Sequence, residues 1–148
     1  FQSPMSKELI GIAVDHGGFV LKQPVAEEVR ALGYEVLDLG TQAGESVDYP
    51  DMSDNLVAAF IVGRVNRGLL ICGTGIGISI AANRHDGIRA ALCYDGETAA
   101  LARRHNDANV MCLGGRKTGA VQAREMVRIF LETEFDAGRH ARRVGKLG

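Results

Sequence analysis

The chain has 148 residues, 46% of them hydrophobic, enough for one folded unit with its own core. Its 17 basic and 18 acidic side chains leave a formal charge of −1, which excludes the charge excess of a nucleic-acid or membrane-surface binder. No apolar stretch is long enough to span a bilayer, and no signal-peptide pattern is present. Cys72, Cys93 and Cys112 each end or lie within an apolar run, their number is odd, and their spacing is not that of a zinc site. A reducing, cytoplasmic setting is therefore expected. Phe1-Gln2-Ser3-Pro4 reads as the remnant of an expression tag, Met5 as the natural start, and residues 5–148 as a single domain.

Apolar runs and helical patterns then alternate along the chain. Leu9–Val14 reads as a strand and Phe19–Leu32 as a helix stopped by Gly33. Tyr34–Leu39 is a second strand. Asp51–Val62 is an amphipathic helix with Met52, Leu56, Ala59 and Phe60 on one face. Gly68–Ile71 is a third strand, followed by a short helix over Gly77–Asn83. Ile88–Cys93 is a fourth strand, with a helix from about Thr98 to His105. Val110–Leu113 is a fifth strand, Thr118–Glu134 the last long helix, and a basic tail follows from Gly138. This alternation predicts an α/β fold: a Rossmann-like, three-layer, doubly wound sheet of about five parallel strands. Ligands of such folds sit at the carboxyl ends of the strands.

The residues at those ends are small and polar. Asp15-His16-Gly17-Gly18 follows the first strand, Cys72-Gly73-Thr74-Gly75 the third, and Gly114-Gly115-Arg116 the fifth. At the third, an apolar strand runs into a cysteine and then a glycine-rich turn that opens a helix. Such a turn gathers free backbone N–H groups, which bind anions, favour a thiolate and can hold a developing oxyanion. Gly73-x-Gly75-x-Gly77 is not the dinucleotide fingerprint, because its third glycine comes one residue early and it follows the third strand. Taken alone, Cys72 also reads as a small buried hydrophobe and Thr74 as a turn residue or cap.

Asp15 at the end of a buried strand needs a partner, either the following helix or a ligand hydroxyl. His16 either rests on the surface or faces that ligand. His105-Asn106 ends a helix, where histidine favours the dipole and asparagine suits a turn, or else supplies an acid–base with an amide beside it. His85 reads as structural. Arg139 and Arg143 lie one helical turn apart and would share a face able to grip one phosphate, or form a solvated basic tail.

Together these segments resemble ribose-5-phosphate isomerase B, in the family that includes the galactose-6-phosphate isomerase subunits. The matching stretches are Asp15-His16-Gly17-Gly18-Phe19-x-Leu21-Lys22, Asp48-Tyr49-Pro50 and Ile71-Cys72-Gly73-Thr74-Gly75-Ile76-Gly77-Ile78-Ser79-Ile80-Ala81-Ala82-Asn83. They continue with Gly87-Ile88-Arg89-Ala90, Arg104-His105-Asn106-Asp107-Ala108-Asn109-Val110 and Gly138-Arg139-His140-x-x-Arg143, in family order.

The resemblance implies an aldose–ketose isomerase without a cofactor or metal. Cys72 would shuttle a proton between C1 and C2, and Thr74 would support ring opening or polarise a sugar oxygen. The amides of Gly73, Gly75, Ile76 and Gly77 would hold the enediolate oxygen. Asp15 and Tyr49 would orient the sugar. His105, with Asn106, would come from a neighbouring subunit and act in ring opening. His16, Arg139 and Arg143 would bind the phosphate, with Arg116 a further candidate. Family members that lack the cysteine carry a glutamate a few residues on; that position here is Ile78, which cannot take a proton.

The implied partners are a phosphorylated sugar and a second copy in a homodimer, with pairing into a tetramer open, and neither nucleic acid nor membrane. Other substrates remain open within the same chemistry: galactose or allose 6-phosphate, or a tetrulose 4-phosphate. Their selection would lie in Thr41–Tyr49 and near Asp95–Thr98. A non-catalytic sugar-phosphate-binding module is the alternative of a different class; a thiol at the oxyanion turn opposes it.

Overall fold

The computed structural model describes residues 7–148; the segment read as a tag remnant and Met5 lie outside the described residues. Five parallel strands form one sheet: β1 (Leu9–Val14), β2 (Glu35–Asp38), β3 (Gly68–Cys72), β4 (Ala90–Leu92) and β5 (Val110–Gly114). Between and after them run α1 (Phe19–Ala31), α2 (Tyr49–Ile61), α3 (Ile76–Asn83), α4 (Gly96–Asn106), α5 (Ala120–Glu132) and α6 (Arg139–Gly145). No helix among the described residues is long and apolar enough to cross a membrane.

The strand order is β2-β1-β3-β5-β4, so β5 inserts between β3 and β4. The pleat sorts the side chains into two cores. Ile10, Ile12, Val14, Leu69, Ile71, Met111 and Leu113 face the side covered by α1, α4 and α5. Ala13, Leu70, Cys72, Val110 and Cys112 face the side covered by α2 and α3. Both faces are therefore buried, as all-parallel sheets require. On the second face α2 comes close: a Cβ on Gly11 or Gly68 would lie 2.4 or 2.6 Å from Leu56, so Leu56 sits over two glycines.

The elements follow the sequence pattern with local shifts. α2 begins two residues before the amphipathic run, because Pro50 in its first turn needs no N–H partner there. This makes Tyr49 the first residue of a helix rather than a loop residue. β4 is shorter than its apolar run, because the Arg89 amide bonds the side chain of Asn109 and the Ala90 amide that of Asn83. Asp95 and Thr98 cap α4 reciprocally, with the Thr98 amide donating to Asp95 Oδ1 at 2.8 Å. The basic tail folds into α6.

The chain leaves β1 through α1 for β2 on one side, and through α2 reaches β3 on the other. The carboxyl ends of β1 and β3 thus flank the topological switch point, the usual position of a ligand crevice in such sheets.

Candidate active site

Three loops meet at that switch point. The Asp15 amide donates to the Ile71 carbonyl at 3.1 Å, Gly115 to Cys72 at 2.8 Å and Arg116 to Gly73 at 2.9 Å. Glycine is needed where they touch. A Cβ on Gly17 would lie 2.8 Å from the Gly73 nitrogen, and one on Gly115 would lie 2.2 Å from the Gly17 oxygen.

Cys72 ends β3 with its side chain almost fully buried, 4% exposed. Gly75 adopts a left-handed φ of +81°, open to glycine at little cost, and its amide donates to Cys72 Sγ at 3.2 Å. α3 starts at the next residue, so its first-turn N–H groups, free of helical acceptors, open beside the thiol. The Ile76 amide is taken by Thr74 Oγ1 at 3.2 Å, and the Thr74 carbonyl accepts from the Tyr94 hydroxyl at 2.9 Å.

Asp15, 5% exposed, accepts the Gly18 amide on Oδ1 at 3.0 Å and so braces the turn into α1. His16 Nδ1 accepts the Val47 amide at 3.3 Å, which ties the 41–48 loop to the crevice. The Tyr49 ring lies over Gly77, where a Cβ would come 2.6 Å from Cζ. The Arg116 guanidinium lies over Gly73, with Nη1 3.2 Å from where a Cβ would be. Cys72, Thr74, the 73–77 amides, Asp15, His16, Tyr49 and Arg116 therefore share one end of the sheet.

The remaining candidates lie elsewhere. His105 and Asn106 end α4, and the Asn109 carbonyl three residues on accepts the amide of Gly68, the first residue of β3. They stand at the amino-terminal end of the sheet, about 13 Å of strand rise from Cys72. There the His105 and His140 rings stack, centroids 4.3 Å apart and planes 12° from parallel. His105, Asn106, His140 and Arg143 line a cleft of about 320 Å³. The pKa of His140 is lowered, first by desolvation and then by His105, Arg139 and Arg143, with Asp136 opposing. Arg139 and Arg143 are both exposed. His85 bonds Asp54 at 3.1 Å, a link from the end of α3 to α2.

Residues 10–147 match the family model described as Ribose/Galactose Isomerase. The chain belongs to the ribose/galactose isomerase family. Among its relatives, a putative sugar phosphate isomerase of Bacillus subtilis is 45% identical over 93% of both chains. Ribose-5-phosphate isomerase B of Escherichia coli is 43% identical over 91% of both. The solved ribose-5-phosphate isomerase B of Clostridium thermocellum superposes with a TM-score of 0.91 at 51% identity, covering 95% of each chain. That of Thermotoga maritima gives 0.91 at 49%, covering 95% of this chain and 97% of the other.

Tyr94, bonded to the Thr74 carbonyl, and Asp136, bonded to Arg104 beside His105, adjoin candidate residues and were not singled out by the sequence. Tyr94 follows β4, and applying the strand-end logic at that strand as at the others would have found it. Asp136 carries no motif of its own; its partner appears only once α4 and the tail are folded together.

Proposed function

We propose that the protein interconverts ribose 5-phosphate and ribulose 5-phosphate, with Cys72 as the base. The observation that carries this reading is the Gly75 amide aimed at Cys72 Sγ, in a glycine turn that runs directly into the start of α3, where first-turn N–H groups lack helical acceptors. Family membership and the named activities of the relatives support it.

The thiolate of Cys72 takes the proton from C2 of the open-chain aldose. The electron pair of the C–H bond forms the C1–C2 double bond, and the carbonyl electrons pass to O1, giving an enediolate. The 73–77 amides stabilise that charge. The thiol returns the proton to C1, and a proton passing from O2 to O1 completes the ketose. A well-placed oxyanion donor is worth about 3 kcal/mol of barrier, comparable to the base itself. Asp15 and Tyr49 orient the sugar and Thr74 polarises one of its oxygens.

His105 opens the furanose ring, with Asn106 beside it, and His16, Arg139, Arg143 and Arg116 hold the phosphate. A charge near −2 calls for more than one guanidinium. Because His105, Asn106, Arg139 and Arg143 stand at the far end of the sheet from Cys72, the reading requires a homodimer in which one copy's α4 and α6 complete the other's crevice. Three free, buried cysteines fit a reducing, cytoplasmic setting for that dimer.

The family description also includes galactose isomerases, so a hexose 6-phosphate is the second substrate reading. Turnover of ribose 5-phosphate, assayed beside tetrose and hexose phosphates and repeated with Cys72→Ala, tests both. Pentose turnover lost in the variant sustains the proposal. Turnover of another sugar phosphate alone moves the substrate. No turnover of any member of the panel overturns the catalytic reading in favour of a binding module.

A further inference from the structure

The helix that presents Arg139 and Arg143 has no buried residue. It is seven residues long, and a helix that short neither persists on its own propensity nor, here, gains position from a buried apolar face. The chain reaches it through an extended residue at Thr133 and positive-φ residues at Ala137 and Gly138. Besides the Arg103 bond to the Thr133 carbonyl, two attachments join the arm to the end of α4.

One attachment is the stack of His140 on His105. The other is a two-way clasp between Arg104 and Asp136. The Asp136 amide donates to the Arg104 carbonyl at 3.0 Å, in the last turn of α4, where carbonyls lack helical donors. In return the Arg104 guanidinium grips the Asp136 carboxylate, Nε to Oδ2 at 3.2 Å and Nη2 to Oδ2 at 3.1 Å. The neighbouring Arg103 turns inward to Asp107 and to the Ala108 and Thr133 carbonyls, which leaves Arg104 as the α4 guanidinium that meets Asp136.

We propose that the Arg104–Asp136 clasp positions the phosphate-binding arm, holding Arg139 and Arg143 in register with His105 and Asn106. This rests on the reading of those arginines as phosphate ligands. Neither Arg104 nor Asp136 touches substrate in this reading; each acts through α6.

Asp136 is also an acid paired with Arg104 and three residues before Arg139 in the chain, and that separates positioning from bare charge. If Asp136 acted only by its charge, removing it would make the arm more positive and phosphate binding tighter. If it positions the arm, removing it makes binding weaker. The experiment is steady-state kinetics of full-length Asp136→Asn and Arg104→Gln with ribose 5-phosphate, together with the inhibition constant for inorganic phosphate. KM and that constant should both rise roughly fivefold, the scale of a charge-assisted pair near the surface, with kcat within about twofold.

Asp136→Glu should stay near wild type, and the exchanged pair Arg104→Asp with Asp136→Arg should recover part of the loss. Amide hydrogen exchange over residues 139–145 should accelerate in both single variants. An unchanged or lowered KM for Asp136→Asn, with unchanged exchange, overturns the inference while leaving the isomerase reading intact. A wild-type protein inactive on ribose 5-phosphate overturns that reading instead. Calorimetric binding of inorganic phosphate, with the exchange rates, then decides the clasp: weaker binding and faster exchange in the variants sustain it, and wild-type values in both overturn it.

Discussion

The amide of Gly75 points at the sulfur of Cys72 from 3.2 Å, and the left-handed turn at Gly75 is what brings it there. The helix that follows begins at the next residue, beside the same sulfur. Cys72→Ala removes the proposed base and leaves the cradle. Turnover should fall by at least about a hundredfold, the usual scale for a positioned base, while calorimetric affinity for ribose 5-phosphate stays within about twofold. A Cys72→Ala enzyme turning over at the wild-type rate would place the base elsewhere.

The three loops leave no room at their meeting point. A Cβ on Gly115 would stand 2.2 Å from the Gly17 carbonyl oxygen and 3.1 Å from Gly18 Cα, and both obstacles are backbone. Gly115→Ala must push the β1 and β5 loops apart. A cost of about 1–3 kcal/mol is expected, several degrees of melting temperature, with turnover falling alongside. Gly119→Ala is the control, since nothing lies within 4 Å of its Cβ position and its φ is −77°. Thermal melts in which the two variants behave alike would contradict this packing.

Tyr94 reaches across from the end of β4 to donate its hydroxyl to the Thr74 carbonyl, and Gln122 donates to the Tyr94 carbonyl. Tyr94→Phe keeps the ring and removes its hydroxyl bond to the turn. Loss of one such bond, worth about 1 kcal/mol, should lower the melting temperature by about 2–4 °C and kcat by up to about fivefold. Equal kcat in the two proteins would mean that the turn holds its shape without Tyr94.

The order of strands and helices was legible in the sequence, because two-residue and helical periods differ and each strand ends in glycine or polar residues. Cys72 was legible for the same reason: it breaks an apolar run just ahead of three closely spaced glycines. The insertion of β5 between β3 and β4 was not, since pairing between parallel strands far apart in sequence leaves no local signal. Nor was the start of α2 at Tyr49, where Pro50 marks a first turn only once the helix is known. The placement of Arg116 over Gly73 depends on β5 lying beside β3, so the sequence could offer it only as a candidate. The separation of His105 from Cys72 became visible only when α4 was seen to run back to the opposite end of the sheet.

The cysteines give a test across pH. Burial pushes the Cys93 thiol from an ordinary 9.0 to about 11, and burial pushes Cys112 well above that ordinary value, assisted by the other two thiols. Neither should react with iodoacetamide in the folded protein at pH 8, where about one Cys93 in a thousand would be ionised. Cys72, at the open end of its strand, should be labelled first, and ribose 5-phosphate should slow that labelling; peptide mass spectrometry reads the sites.

The raised values also bear on stability. Up to about pH 9 both states keep the Cys93 proton, and its stabilising contribution is intact. Between about 9 and 11 the unfolded chain releases the proton while the folded chain retains it, so the unfolded state gains and stability falls as pH rises. Denaturant unfolding across that window should show the decline, and Cys93→Ala should flatten part of it. A Cys93→Ala protein whose stability falls as steeply as the wild type would assign the alkaline loss to other groups.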